Sequence, residues 1–218
     1  MPISREAPRV VAPVLPELES LVGTELRPHT RYEAMNVAGA DLSGMHLDGL
    51  FFDECRLSKV KGMDVSLRGL TLTECLVDQI DLPVLTAGRS EVRGVQWQSS
   101  RIGSADLFDS SLQRVQFIDC RLGFVNLRGA RLEDVRFTNC TIDELDLGAA
   151  TAKRVEFVDT AVGSLDVTAA KLQAFDLRGA DLSSITGVEY LRGAIINAHQ
   201  LVQLSAAFAE HVGVSVRD

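Results

Sequence analysis

Every fifth residue of this chain is apolar, and the register holds without a slip from Tyr32 to Leu182. Of the 31 residues in that span whose numbers end in 2 or 7, 28 are Val, Ile, Leu, Phe, Trp or Tyr; the exceptions are Gly62, Ala87 and Ala152. Two residues before each lies a second constrained position, running from Met35 through Ala40, Cys55, Val115 and Cys140 to Ala180, and none of its occupants is charged. The other three positions of each pentad are mixed and polar. A period of five fits neither the 3.6 of a helix nor the 2 of a strand. Two inward residues per five describe a chain that turns a corner after each pentad, and four corners close a coil of 20 residues.

A second period of 20 should then be visible, and it is. Val95-Gln96-Trp97, Val115-Gln116-Phe117, Val135-Arg136-Phe137 and Val155-Glu156-Phe157 recur at that interval, as do the pairs Cys55 with Cys75 and Cys120 with Cys140. Like residues stack on one face in successive coils, roughly 4.8 Å apart as neighbouring strands are. Trp97, Phe117, Phe137 and Phe157 are expected to form an aromatic ladder along one inner edge. Gly62, lacking a side chain at an inward site, is the expected irregularity.

The pentads Ala40-Asp41-Leu42-Ser43-Gly44, Ala105-Asp106-Leu107 and Ala180-Asp181-Leu182-Ser183-Ser184 resemble the A(D/N)LXX pattern of the pentapeptide-repeat family, with degenerate copies such as Val125-Asn126-Leu127-Arg128-Gly129 between them. The resemblance covers about 150 of the 218 residues. It implies an all-β fold, a right-handed quadrilateral β-helix, closed here by a short C-terminal α-helix.

Three segments are expected. Residues 1–31 carry five of the six prolines and show no pentad period; they read as an extended or capping, partly flexible segment, with Pro16–Leu21 suited to one helical turn over the first coil. Residues 32–190 are the β-helix. Residues 191–218 supply a strand and a helix cap: Asn197-Ala198-His199-Gln200 has the form of a capping box, and Gly213 stops the helix. Leu201, Leu204, Phe208 and Val212 fall on one face of that helix. The face either covers the last coil or meets a second copy in a two-fold dimer; resemblance to the quinolone-resistance members of the family implies the dimer.

Residue chemistry excludes more than it selects. A net charge of −8 without a basic stripe argues against direct nucleic-acid contact. No apolar run is long enough for a membrane span, and Met1-Pro2-Ile3-Ser4-Arg5-Glu6 lacks signal-peptide design, so a cytoplasmic protein is expected. The four cysteines are predicted inward in two separated pairs with no CxxC spacing, which reads as buried structural thiols and no metal site. His29, His46, His199 and His211 do not converge with carboxylates or a hydroxyl nucleophile, and no glycine-rich phosphate cradle is present. Hence no catalytic residue, metal or cofactor is expected, and the chain reads as a non-enzyme.

What remains is the acidic surface. Asp106, Asn126, Asp146 and Asp166 occupy equivalent outward sites on successive coils, with Asp143 and Glu144 at the adjoining corner. These residues form the candidate interaction face; the alternative is that an Asp or Asn before the central Leu bonds its own turn. The leading expectation is a scaffold that docks a protein partner. The family resemblance adds a DNA-mimicking regulator of a type II topoisomerase, DNA gyrase or topoisomerase IV. Residues 31–190 hold 24 acidic and 17 basic side chains, a net of −7, whereas duplex DNA of matching length, roughly 36 Å, carries about 21 charges.

Overall fold

Most inward positions of the pentads are buried, with Leu57, Trp97 and Leu107 among those partly so: Leu72, Leu127, Leu147 and Phe137 from the central position, and Val115, Val135 and Leu165 from the second, are at most 2% exposed. Burying two residues in five on all sides of a narrow chain leaves one solution, and the computed structural model, which describes residues 7–215, shows it. The chain winds as a parallel β-solenoid of about nine turns. One α-helix, α1 (Ala198–His211), stands at its end.

Each coil pairs with the next at a step of 20. Val115 is opposite Val135 and Phe117 opposite Phe137; Val135 is opposite Val155 and Phe137 opposite Phe157. The described strands form two sheets, one of 14 strands and one of seven. Strands such as Ser111–Ile118, Arg131–Thr138 and Thr151–Val158 build the wide sheet. Arg101–Asp106, Arg121–Asn126 and Thr141–Asp146 build the narrow one. The expected aromatic ladder is present: ring centroids lie 6.1 Å apart for Trp97 and Phe117, 4.9 Å for Phe117 and Phe137, and 5.1 Å for Phe137 and Phe157. Phe175 closes it edge-on at 5.6 Å.

Corners set the cross-section. Three of the four carry a residue in the left-handed region at the last position of the pentad, such as Asp109 (φ 54°), Asp134 (φ 59°) and Asp119 (φ 54°). Side chains other than glycine pay strain there, on the order of 1–2 kcal/mol each. Gly44, Gly49, Gly69 and Gly129 take that conformation freely. From Val84 onward the fourth corner (Ser104, Phe124, Glu144, Ser164) has no left-handed residue. The strands therefore run straight through it, from Arg101 to Asp106 and at the equivalent places above.

The second inward position tolerates small polar residues for a specific reason. Ser100 Oγ donates to the Gln98 carbonyl (2.8 Å) and accepts from the Ile80 amide one coil below (3.1 Å). Thr160 does the same with Val158 and Cys140 (2.9 and 3.3 Å). The cysteines substitute thiols for these hydroxyls: Cys55 Sγ donates to Asp53 O at 3.1 Å and accepts from Met35 N at 3.3 Å.

Two expectations need correction at the N-terminal end. Glu19–Leu21 is a strand, parallel to Met35–Val37, and the turn is a 3-10 turn at Gly23–Glu25; no helical turn forms over Pro16–Leu21. The first full coil would otherwise present an open row of backbone donors and acceptors, which a strand satisfies and a helical turn does not. The ladder thus begins at Glu19, not at Tyr32. At Gly62 a Cβ would sit 2.6 Å from Val65 Cγ2, and the ladder there narrows to the bridges Asp41–Lys61 and Lys61–Asp81 with the flanking bond from Gly44 N to Met63 O at 2.8 Å.

Replacing Phe137 by Ala removes a ring packed between two others in a fully buried column and should cost about 3–5 kcal/mol in chemical denaturation. Phe124→Ala, at a side chain 39% exposed, should cost less than about 1 kcal/mol. Equal losses would contradict the inward assignment.

Candidate interaction surface

The acidic file lies on the narrow sheet, in register as Asp106, Asn126, Asp146 and Asp166. Three of its four members bond their own turns: Asn126 Oδ1 accepts from Arg128 N (3.1 Å), Asp146 Oδ1 from Gly148 N (2.8 Å) and Asp166 Oδ1 from Thr168 N (2.8 Å). Asn126 also donates to Asp106 at 2.8 Å. Arg128 reaches both oxygens of Asp146 (3.1 and 3.0 Å) and lies 3.9 Å from Asp166. The file is therefore turn-forming and partly neutralised. Asp143 and Glu144 stand beside it with no ion pair among the described residues.

On the helix face the four predicted residues separate. Leu204 is buried and Phe208 half-buried, whereas Leu201 (53%) and Val212 (70%) face solvent. The stronger anchor is polar. Gln200, 3% exposed, donates from Nε2 to the carbonyls of Leu177 (2.6 Å) and Ala180 (2.8 Å), while its Oε1 accepts from Asn197 N. Asn197 in turn donates to Arg178 O at 3.0 Å. One capping box thus begins α1 and also satisfies carbonyls of the last coil.

A second cluster lies on the wide sheet. Asp134, 5% exposed, takes two hydrogen bonds from Arg154 (2.6 and 2.7 Å). Arg154 also reaches Glu133 at 2.7 Å, which Lys153 meets at 2.9 Å. A further donor to Asp134 is the backbone N–H of Arg9, at 2.9 Å. Because Glu19 N donates to Ala34 O, ten residues of chain span five coils, about 24 Å of the rod. The N-terminal segment therefore runs along the solenoid, with Pro8 buried. Burial pushes the Asp134 carboxyl up, but the Arg154 guanidinium and the Arg9 amide outweigh it and hold the group below the usual carboxylate range. Lys153 and Arg154 likewise lower Glu133.

The narrow sheet carries one more feature. A file of outward residues alternates in charge through Asp41, Lys61, Asp81 and Arg101, then repeats a positive charge at Arg121 before Thr141. Arg101 and Arg121 are exposed and, among the described residues, make no side-chain hydrogen bond or ion pair. Beside them runs a groove of about 490 Å³ lined by Arg101, Gly103, Arg121, Gly123, Thr141 and Asp143. Glycine is required on its floor: a Cβ at Gly103 would lie 2.5 Å from Pro83 O, and one at Gly123 2.0 Å from Gly103 O.

The cysteines are all buried and unpaired. Burial pushes the Cys75 thiol up to about 12. Cys120 is raised as well, first by its neighbour Cys140 and then by burial. Among the described residues no group of three His, Cys, Asp or Glu side chains converges on a metal site. Also among them, no helix is long and apolar enough to cross a membrane.

Stacked 20-residue coils with filled interiors and outward side chains in registered files define a β-solenoid of the repeat type, whose chemistry lies on its outer faces. Residues 110–186 match the family model described as pentapeptide repeat region, and the same register continues on both sides of that stretch. Over that stretch the chain carries a pentapeptide repeat region. Among solved structures it is similar to full-length QnrB1, a plasmid-mediated fluoroquinolone resistance protein (18% identity, covering 87% of this chain and 94% of that one, TM-score 0.43). It is also similar to HetL, a pentapeptide-repeat protein involved in heterocyst differentiation regulation from the cyanobacterium Nostoc sp. (21% identity, 78% and 90% covered, TM-score 0.34). Comparison with curated proteins finds no significant match.

The lowered Asp134 carboxyl yields a pH-dependent prediction. A group whose folded value is depressed stabilises the fold above its unfolded value and stops doing so as pH falls through its folded value. Asp134→Asn should lower stability by about 1–3 kcal/mol at pH 7, and the gap from wild type should close below about pH 4. A gap that is independent of pH would contradict the assignment.

Proposed function

We infer that the protein is a non-catalytic scaffold acting in the cytoplasm, docking a protein partner on the outer faces of its solenoid. The observation that carries this is the division of labour along each coil. The inward files are consumed by packing, and outward side chains are held in register on a stiff backbone, several of them, including Arg101, Arg121, Asp143 and Glu144, without a side-chain partner among the described residues. Such an array presents groups at fixed spacing with little ordering cost on binding. Cross-linked capture from a native lysate should return the same protein under several conditions. Recovery of no specific partner would contradict the scaffold.

A second reading, as a DNA-mimicking regulator of gyrase or topoisomerase IV, is favoured by Asp143 and Glu144, which stand free beside the registered file of Asp106, Asp146 and Asp166. Arg128 works against it by occupying Asp146. In a gyrase supercoiling assay this reading requires inhibition or relief of quinolone poisoning, weakened by Asp143→Asn with Glu144→Gln. Neither effect from the wild-type protein would end it.

Self-association through α1 is the third element. Leu201, Val202 and Val212 are exposed apolar residues at 53%, 71% and 70%, a surface suited to a second copy. Light scattering should give a dimer that Leu201→Glu converts to monomer; a monomeric wild-type protein would remove the proposal.

A further inference from the structure

We propose that the groove on the narrow sheet between Arg101, Arg121 and Asp143 is a docking site for an extended acidic segment of a protein partner, one of whose carboxylates is clamped between the two guanidinium groups. This rests on the scaffold function and names the surface and partner chemistry through which it works.

Charge pattern is the first observation. At three other places the coil sets opposite charges at equivalent sites 20 residues apart and pairs them: Lys61 with Asp41 at 3.4 Å, Arg136 with Glu156 at 2.7 Å and Lys153 with Glu133 at 2.9 Å. Arg101 and Arg121 are direct neighbours in the ladder, and like charges in that relation destabilise a sheet. Asp81 lies opposite Arg101 on the other side, but neither guanidinium forms an ion pair among the described residues. A carboxylate placed between them would relieve the repulsion, and guanidinium groups bind carboxylates in a planar, two-pronged geometry.

Access is the second. Gly103 and Gly123 leave the floor as bare backbone, since their neighbours' carbonyls occupy the places where Cβ atoms would stand. A peptide main chain can therefore approach more closely here than over a face carrying side chains. Next along the strand from Gly123, Phe124 is 39% exposed, and Val84, two coils below it in the same file, is 41% exposed. These give an apolar side chain of the segment somewhere to rest. Among the described residues of the N-terminal segment, whose Arg9 amide bonds Asp134 of the wide sheet, no carboxylate pairs with Arg101 or Arg121.

Polyanions fit poorly. Asp143 lines the groove itself, Glu144 adjoins it, and the file Asp106, Asp146, Asp166 runs alongside. A phosphate backbone lying along the rod would meet these carboxylates, whereas a short segment with one or two acidic residues would not. Asp143 also offers an acceptor for a backbone N–H or a cationic side chain at the far end of that segment.

The probe is a fluorescein-labelled peptide, Gly-Ser-Ser-Leu-Asp-Leu-Glu-Ser-Gly, titrated with the full-length protein and followed by anisotropy. Saturable binding is expected that weakens as salt rises. It should fall roughly tenfold or more in the Arg101→Glu, Arg121→Glu double variant and persist in Arg131→Glu, an exposed position on the wide sheet. A peptide with Gln and Asn in place of Glu and Asp should bind at least as weakly as the double variant does. Circular dichroism of the variants, whose changes are both at exposed side chains, checks that the fold is retained. No binding of the acidic peptide, equal binding by the double variant, or preferential binding of inorganic phosphate or duplex DNA would overturn the proposal. Cross-linked capture run in parallel separates it from the scaffold function. A partner captured equally by wild type and double variant refutes the groove alone. Capture by neither refutes the scaffold, while the titration still judges the groove.

Discussion

The amide of Gln116 donates to the carbonyl of Val95 at 2.9 Å, and the amide of Leu107 to that of Asn126 at 2.8 Å. Hydrogen bonds of this kind, always to the coil one turn away, hold the molecule together and set its dimensions. A parallel ladder at a fixed step forces equivalent residues to stack, so each choice of side chain is repeated against its own kind. Inside, repetition is favourable, because Phe117, Phe137 and Phe157 pack ring on ring. Outside, it is hazardous, because like charges fall opposite one another. The alternation of Asp41, Lys61, Asp81 and Arg101 answers that hazard, and the break at Arg121 departs from it.

The ladder also creates two problems at its ends, since the first and last coils expose backbone groups with no further coil to meet them. Each end has its own solution. Glu19–Leu21 adds a strand to the first coil. At the other end Gln200 and Asn197 bring side-chain donors to the carbonyls of Leu177, Ala180 and Arg178. A run of the N-terminal segment along five coils, pinned at Asp134, adds a contact between distant turns that nearest-neighbour stacking does not supply.

Much of the architecture was legible because it is periodic. The inward files, the aromatic ladder, the fault at Gly62 and the capping box Asn197–Gln200 all follow from spacing and residue type. What escaped is aperiodic. Nothing in the N-terminal sequence shows that the Arg9 amide meets Asp134, because a backbone donor has no side-chain signature. Glu19–Leu21 pairs as a strand through main-chain groups that any residue carries. Gln200 read only as a capping residue, and its amide's second task depends on where the last coil ends. Sorting outward positions by acidity found the file of Asp106, Asp146 and Asp166 but not that Arg128 and the turn amides occupy it. Arg101 and Arg121 are 20 apart, a spacing visible in the chain; the glycine-floored groove beside them required the close approach of the strands to be seen.

Amide-to-amide nuclear Overhauser contacts in deuterated protein test the 20-residue parallel register most directly. Residues such as Gln116 and Val135 should show cross-peaks to the neighbourhood of Gln96 and of Val115 and Val155. Cross-peaks confined to residues three or four apart in sequence, or connecting strands in antiparallel order, would contradict the account.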